Sequence, residues 1–235
     1  MTTAIIVAAG SGVRMQDATR KQYILISGIP ILAHTLLVFD ACDMIDNMIL
    51  VVPKGDFDYC DRTVISPLKL KKKIQLAEGG IERCDSVYNG LMAVDKKTHI
   101  VVIHDGVRPF IRTDQIKECI IEAKKTGACI LGVQAYDTIK CVDHSGNIKK
   151  TLERDSVQLA QTPQAFRRDL ILKAHIQAKE DGFISNDDAQ LVERIGEKVK
   201  IITGSRLNLK ITEKNDLILA QALLKSTSEL VSIHK

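Results

Sequence analysis

Short apolar runs rich in β-branched residues alternate along this chain with stretches whose apolar positions recur at helical spacing. Residues 3–7, Thr-Ala-Ile-Ile-Val, read as a buried strand that runs into Ala8-Ala9-Gly10-Ser11-Gly12. Residues 29–39 read as a helix with Pro30 in its first turn, and residues 48–53 as a short strand stopped by Pro53. A polar helical segment at 56–66 leads to a strand at 74–77, and Gly79-Gly80 opens onto a helix reaching about residue 94. A central strand at 99–104, a helix at 113–125 and a strand at 128–133 continue the series. Such alternation predicts an α/β, Rossmann-like fold: a mostly parallel twisted sheet with helices on both faces. Right-handed crossovers then put every strand-to-helix loop on one carboxyl edge, which gathers residues 10–21, 79–86 and 105–108 into one crevice.

From Ala135 the pattern changes. Residues 136–142 and 148–154 are alternating, fairly polar runs joined by Asp143-His144-Ser145-Gly146-Asn147, a good hairpin turn. A projecting β-hairpin arm over about 135–158 cannot bury itself. It needs a surface to lie on, either a second subunit or its own domain. Beyond it come Gln161-Thr162-Pro163-Gln164-Ala165-Phe166, a helix at 168–181, and a cap at Asn186-Asp187-Asp188-Ala189. Strands at 199–203 and 207–211 and a helix at 213–225 close the pattern. With no repeat, low-complexity tract or linker, residues 1–235 read as one domain with an arm.

Composition narrows the classes. A net charge of +4, from 33 basic and 29 acidic residues, is too small an excess for a nucleic-acid binder. Six cysteines stand far apart without a C-x-x-C pair or zinc-type spacing, which suits a reducing cytoplasm. No apolar run approaches the about 18 residues of a membrane span, and the start lacks a basic-then-apolar leader. The expectation is a cytoplasmic protein with no membrane or nucleic-acid partner.

The candidate chemistry begins at the first loop. Gly10 and Gly12 leave backbone N–H groups open to an anion, and the cations Arg14 and Lys21 follow. The dinucleotide fingerprint fails because Met15 stands where its third glycine belongs, and no P-loop spacing exists. The A-A-G-x-G-x-R-M stretch followed by Lys21-Gln22 resembles nucleotidyltransferases that join a nucleoside triphosphate to a phosphorylated polyol. Such a reaction works by positioning and charge stabilisation, so arginine and lysine suit it, and the phosphate nucleophile needs no general base.

Further motifs stand in order: Gly79-Gly80-x-x-Arg83-x-x-Ser86-Val87, His104-Asp105-x-x-Arg108-Pro109-Phe110, Asp137-Thr138-Ile139-Lys140, Gln161-Thr162-Pro163-Gln164 and Asn208-Leu209-Lys210-Ile211-Thr212. Together with the opening loop they resemble the 2-C-methyl-D-erythritol 4-phosphate cytidylyltransferase family of non-mevalonate isoprenoid synthesis. The resemblance implies CMP transfer from CTP, with Arg14 and Lys21 stabilising the transition state. Ala8, Ala9, Gly10, Gly12, Gly80, Ser86, Asp105 and Lys210 would hold the nucleotide. Asp105, Arg108, Thr138, Arg154, Thr162, Asn186 and Lys210 would hold the acceptor. It further implies Mg2+, or another divalent cation, carried mainly on the CTP phosphates, and a homodimer whose arms interlock.

Each assignment has a plainer counterpart. Asp105 and Arg108 can form an internal ion pair, and His104 can be a satisfied structural histidine. Thr162-Pro163 can be a rigid turn, Lys210 a surface lysine, and Thr138 with Arg154 a cross-strand pair. Arg20 replaces the family's usual proline and Asn186 its usual threonine. Competing functions are a ribitol-5-phosphate cytidylyltransferase, a nicotinamide-dependent oxidoreductase and a non-catalytic nucleotide-binding regulator.

Overall fold

The strand β1 (Thr2–Val7) is buried along its length, with only Val7 partly open. Its alternating side chains divide the core between the two faces of a sheet. Ala4 and Ile6 pack with Leu32, Leu36, Phe39 and Ile120 on one side. Ile5 packs with Val51, Val87, Leu91 and Phe166 on the other. The computed structural model describes residues 1–10 and 19–233, with side chains as far as Ser226.

Strands β2 (Leu25–Ile26) and β3 (Ile29–Pro30) form a small antiparallel hairpin. Its turn residues, Ser27 and Gly28, both have positive φ, 51° and 87°, as a two-residue hairpin turn requires. Helix α1 (Ile31–Ala41) therefore begins later than the sequence predicts, with Pro30 as its N-cap rather than inside the first turn. Strand β4 (Asn47–Val52) is followed by α2 (Phe57–Cys60), a π-helical turn at Asp61–Ile65, and α3 (Ser66–Leu68). Next come β5 (Ile74–Glu78), α4 (Arg83–Met92), β6 (Ile100–Asp105), α5 (Thr113–Thr126) and β7 (Ala128–Gln134). The arm holds β8 (Lys140–Val142) and β9 (Ile148–Thr151). The chain continues through β10 (Gln158–Arg167), α6 (Arg168–Glu180), α7 (Asp188–Arg194), β11 (Lys200–Thr203) and α8 (Lys214–Ile233).

Among the described residues, seven strands make one sheet in the order β11-β7-β10-β6-β1-β4-β5. Strands β1, β4, β5 and β6 are mutually parallel neighbours, and β11 runs parallel to β7. Strand β10 is antiparallel to both β6 and β7, so one reversed strand lies inside a mostly parallel sheet. Its register with β7 shifts between Gln161 and Gln164, around Pro163, which has no N–H to donate to the ladder.

Two further expectations change. The arm's paired strands are shorter than the alternating runs that predict them, because pairing covers only Lys140–Val142 and Ile148–Thr151. Residues 207–211 do not form a strand. They make a tethered loop in which Ile211 N–H donates to the Val107 carbonyl (2.9 Å) and the Asn208 amide donates to the Thr162 carbonyl (2.8 Å). Among the described residues, no helix is long and apolar enough to cross a membrane.

Register sets the position of the site. Val7 pairs with Asp105 and with Val51, and Val52 pairs with Glu78. The carboxyl ends of β1, β5 and β6 therefore release their loops side by side, at one edge of the sheet.

Candidate active site

A crevice of about 460 Å³ opens at that edge. One wall is the exit of β1, where Ala8, Ala9 and Gly10 line the opening. Gln22, itself buried, donates from Nε2 to the Ala8 carbonyl (2.8 Å). That bond ties the strand exit to the short 3-10 turn Lys21–Tyr23 and brings Lys21 to the crevice. Gly12 and Arg14 lie outside the described residues.

The opposite wall is the loop from Gly79 to Ser86. A Cβ on Gly79 would collide with that of Ala9, and a Cβ on Gly80 with that of Asp85, so this close approach needs glycine at both places. Glu82 caps α4 in a reciprocal box: its side chain accepts the Asp85 N–H, and Asp85 Oδ2 accepts the Glu82 N–H at 3.1 Å. The Ser86 hydroxyl accepts the Gly80 N–H (3.0 Å) and donates to the Glu82 carbonyl (3.1 Å). Ser86 thus shapes the loop that faces the exit of β1.

Asp105 forms the floor at the end of β6. Lys210 Nζ lies 2.8 Å and Arg108 Nε 3.6 Å from its Oδ2, while Arg83 Nε lies 3.3 Å from Oδ1. Burial alone would raise the Asp105 pKa, but Arg83, Lys210 and Arg108 overcome it and hold the carboxyl well below its usual range. Thr162 Oγ1 accepts the Asp105 N–H (3.1 Å), so β10 fixes the backbone beneath the carboxylate. Arg108 also donates from Nη1 to the Asn208 carbonyl (2.8 Å), and burial lowers its pKa. A crevice with bare backbone on one wall and three cations around one carboxylate suits an anionic, phosphorylated ligand.

The family model described as IspD: 2-C-methyl-D-erythritol 4-phosphate cytidylyltransferase matches residues 2–226. The chain belongs to this family. A relative of that description from Syntrophus aciditrophicus is 48% identical over 222 residues, covering 94% of this chain and 95% of its own. One from Alkaliphilus oremlandii is 46% identical over 228 residues, covering 97% of each. The crystal structure of 4-diphosphocytidyl-2C-methyl-D-erythritol synthase from Anaerococcus prevotii aligns with a TM-score of 0.85 at 36% identity, over 95% of this chain and 96% of that one. This chain is therefore a cytidylyltransferase with the α/β nucleotidyltransferase fold. The match favours that activity over the ribitol relative, the oxidoreductase and the regulator.

Within this cytidylyltransferase the other candidate residues divide into two groups. Thr162 stands behind Asp105, joined to it as described. Thr138, Arg154 and Asn186 do not line the crevice. Thr138 is exposed near the start of the arm, and Arg154 donates from Nη1 to the Tyr136 carbonyl (3.2 Å) at the arm's base. Asn186 is exposed, and its N–H donates to Gln190 Oε1 (2.9 Å) at the head of α7. His104 is fully buried: Nε2 meets the Arg108 carbonyl at 3.1 Å, and burial pushes its pKa down to about 4. That is a structural histidine.

Two residues of the site carry no role in the sequence reading although its motifs include them. Gln22 appears there only as the partner of Lys21, and Arg83 only as a position in the glycine motif. Arg83 faces Asp105 on one side and Asp188 on the other, with Nη1 2.8 Å from Asp188 Oδ2. A motif arginine without an assigned ligand was the available signal.

Proposed function

We propose that this crevice binds CTP and 2-C-methyl-D-erythritol 4-phosphate together and transfers the cytidylyl group between them in isoprenoid precursor synthesis. The acceptor's phosphate oxygen attacks the α-phosphorus, the bond to the bridging oxygen breaks, and pyrophosphate leaves with the electron pair. The product is 4-diphosphocytidyl-2-C-methyl-D-erythritol. The observation that carries this reading is the placement of Lys21 and the Ala8–Gly10 backbone across one crevice from the Asp105–Lys210 pair.

Ala8, Ala9, Gly10 and Gly12, with Gly80 and Ser86 opposite, take the nucleotide. Arg14 and Lys21 stabilise charge on the triphosphate as the bond to pyrophosphate lengthens. Asp105 stands at the junction of the two substrates. Arg108 and Lys210 take the acceptor phosphate, with Thr162 holding Asp105 from below. Thr138, Arg154 and Asn186 complete the acceptor side, the first two from the arm of a neighbouring copy. On this reading the chain is one nucleotidyltransferase domain that works as a cytoplasmic homodimer, its arms at about 135–158 exchanged between subunits. The exposure of β8 and β9, apolar Val142 and Ile148 included, supports that exchange.

Mg2+ or a similar ion fits this site as cargo of the nucleotide. Among the described residues no group of three or more His, Cys, Asp or Glu could hold a metal, and Asp105 already faces three cations. Bound to the triphosphate, the ion would neutralise its oxygens and those of the leaving pyrophosphate. The protein's own cations handle the acceptor.

The test is pyrophosphate release from CTP and Mg2+, with 2-C-methyl-D-erythritol 4-phosphate compared against ribitol 5-phosphate. Release with the first acceptor and not the second is the expected result. Release with ribitol 5-phosphate alone would overturn the acceptor assignment, and silence with both would overturn the proposed reaction.

A further inference from the structure

We propose that Arg83 is a positioning residue for cytidylyl transfer, clamped from behind by the buried Asp188–His175 pair and itself fixing Asp105. The proposal rests on the reading of the crevice given above. Arg83 begins α4, and its guanidinium bridges carboxylates from two distant elements, Asp105 at the end of β6 and Asp188 at the start of α7. Asp188 has no exposed surface and does not line the crevice. Its second oxygen meets His175 Nε2 of α6 at 3.2 Å, and its N–H donates to Gln164 Oε1 of β10 at 3.2 Å. Helices α4 and α6 thus meet on this carboxylate behind the site, and β10 holds the backbone that carries it.

A buried ionic cluster of this kind is a poor source of net stability, because desolvating the charges offsets their attraction. What it supplies well is direction. Arg83 cannot rotate without withdrawing its charge from Asp188 in the interior, where His175 meets only the other oxygen.

The division of Asp105's oxygens shows what that direction is for. Arg83 occupies Oδ1, whereas Lys210 and Arg108 share Oδ2. When a phosphate dianion enters, Lys210 and Arg108 can turn toward it while Arg83 keeps Asp105 neutralised and oriented. Without Arg83, the carboxylate is free to rotate and competes with the phosphate for the same two cations. The loss should therefore fall on the acceptor and spare CTP.

The experiment measures initial rates of Arg83→Ala, Arg83→Lys and Asp188→Asn with each substrate varied in turn, with and without added guanidinium ion. We expect kcat/KM for 2-C-methyl-D-erythritol 4-phosphate to fall about 10- to 100-fold in Arg83→Ala, with KM for CTP changed by less than about 3-fold. Guanidinium should restore Arg83→Ala several-fold and leave the wild type unchanged, a response that a merely structural residue would not give. Asp188→Asn should show a milder loss of the same acceptor-selective kind. Folded Arg83→Ala protein with normal rates, with an equal loss toward CTP, or without response to guanidinium would overturn the proposal. Should that variant fail to fold, Arg83→Lys decides: an acceptor-selective loss supports the proposal, and an unselective or absent one overturns it. A wild type silent with this acceptor would instead overturn the underlying functional reading.

Discussion

Lys210 Nζ lies 2.8 Å from Asp105 Oδ2, joining the tethered loop before α8 to the carboxyl end of β6. The two residues differ in burial, and so should the consequences of losing each. The Lys210 side chain is 36% exposed and that of Asp105 8%. Lys210→Ala should fold with a stability within about 1 kcal/mol of wild type. Its turnover should fall about 100-fold, as expected for removing one group that stabilises charge in the reaction. Asp105→Asn leaves Arg83 and Arg108 near each other without their shared counter-ion, and should lower stability by about 3–5 kcal/mol. Urea unfolding beside initial rates separates the two outcomes; an Asp105→Asn protein as stable as wild type would contradict the account.

Gly80→Ala should damage nucleotide binding more than Ser86→Ala does. The added Cβ drives into Asp85 and displaces the loop, whereas Ser86→Ala removes hydrogen bonds and leaves the backbone room. Losing one such bond is worth about 1 kcal/mol, or roughly 5-fold in CTP affinity. Titration calorimetry with CTP should place Gly80→Ala well beyond that, and equal affinities for the two variants would count against the close-approach argument.

His104 should make stability depend on pH. Its folded pKa of about 4 lies below the ordinary 6.5, so between those values the unfolded chain binds a proton that the folded chain does not. Stability therefore rises with pH through that window and falls on acidification, by about 2 kcal/mol between pH 7 and pH 5 from this group alone. Asp105 and Asp188, whose pKa values are depressed, add a further loss only below the ordinary carboxylate value of 3.8. His104→Gln should flatten the slope between pH 7 and pH 5 in urea unfolding, and an unchanged slope would exclude His104 as its source.

Subunit mixing tests the exchanged arm. Lys21→Ala should fold normally and lose about 100- to 1,000-fold in turnover. Arg154→Ala should weaken the acceptor and leave CTP affinity intact. If Arg154 serves the neighbour's crevice, combining the two inactive proteins under subunit exchange regenerates some sites with both residues intact, and activity returns. No recovery from a mixture shown to exchange would place Arg154 in service of its own chain.

Much of the site was legible because its parts sit where one local pattern stops. The apolar run of β1 ends at Ala8-Ala9-Gly10, and that of β6 ends at Asp105, so each boundary marks a loop at the carboxyl edge. The glycine pair before α4 was legible for the same reason. Strand β10 was not, because Pro163 and two buried glutamines, Gln161 and Gln164, break the apolar signature of an internal strand. The glutamines serve other elements: Gln161 Nε2 donates to the Ser205 carbonyl (2.8 Å) and Gln164 Nε2 to Asp187 Oδ2 (2.8 Å). Residues 207–211 misread as a strand because alternation is a local signal, while their hydrogen bonds go to Thr162 and Val107 instead of a ladder.

The sequence by itself determined the alternation of strands and helices, the glycine loops and the types of charge available at the crevice, since each depends on neighbouring residues only. Tertiary structure alone decided which ionisable side chains meet. Arg83, Asp105, Asp188, His175 and Lys210 come from separate elements, and no spacing along the chain encodes a distance between them. Their pairing follows from sheet register and helix packing, which bring them into an interior where an unpaired charge is too costly to persist.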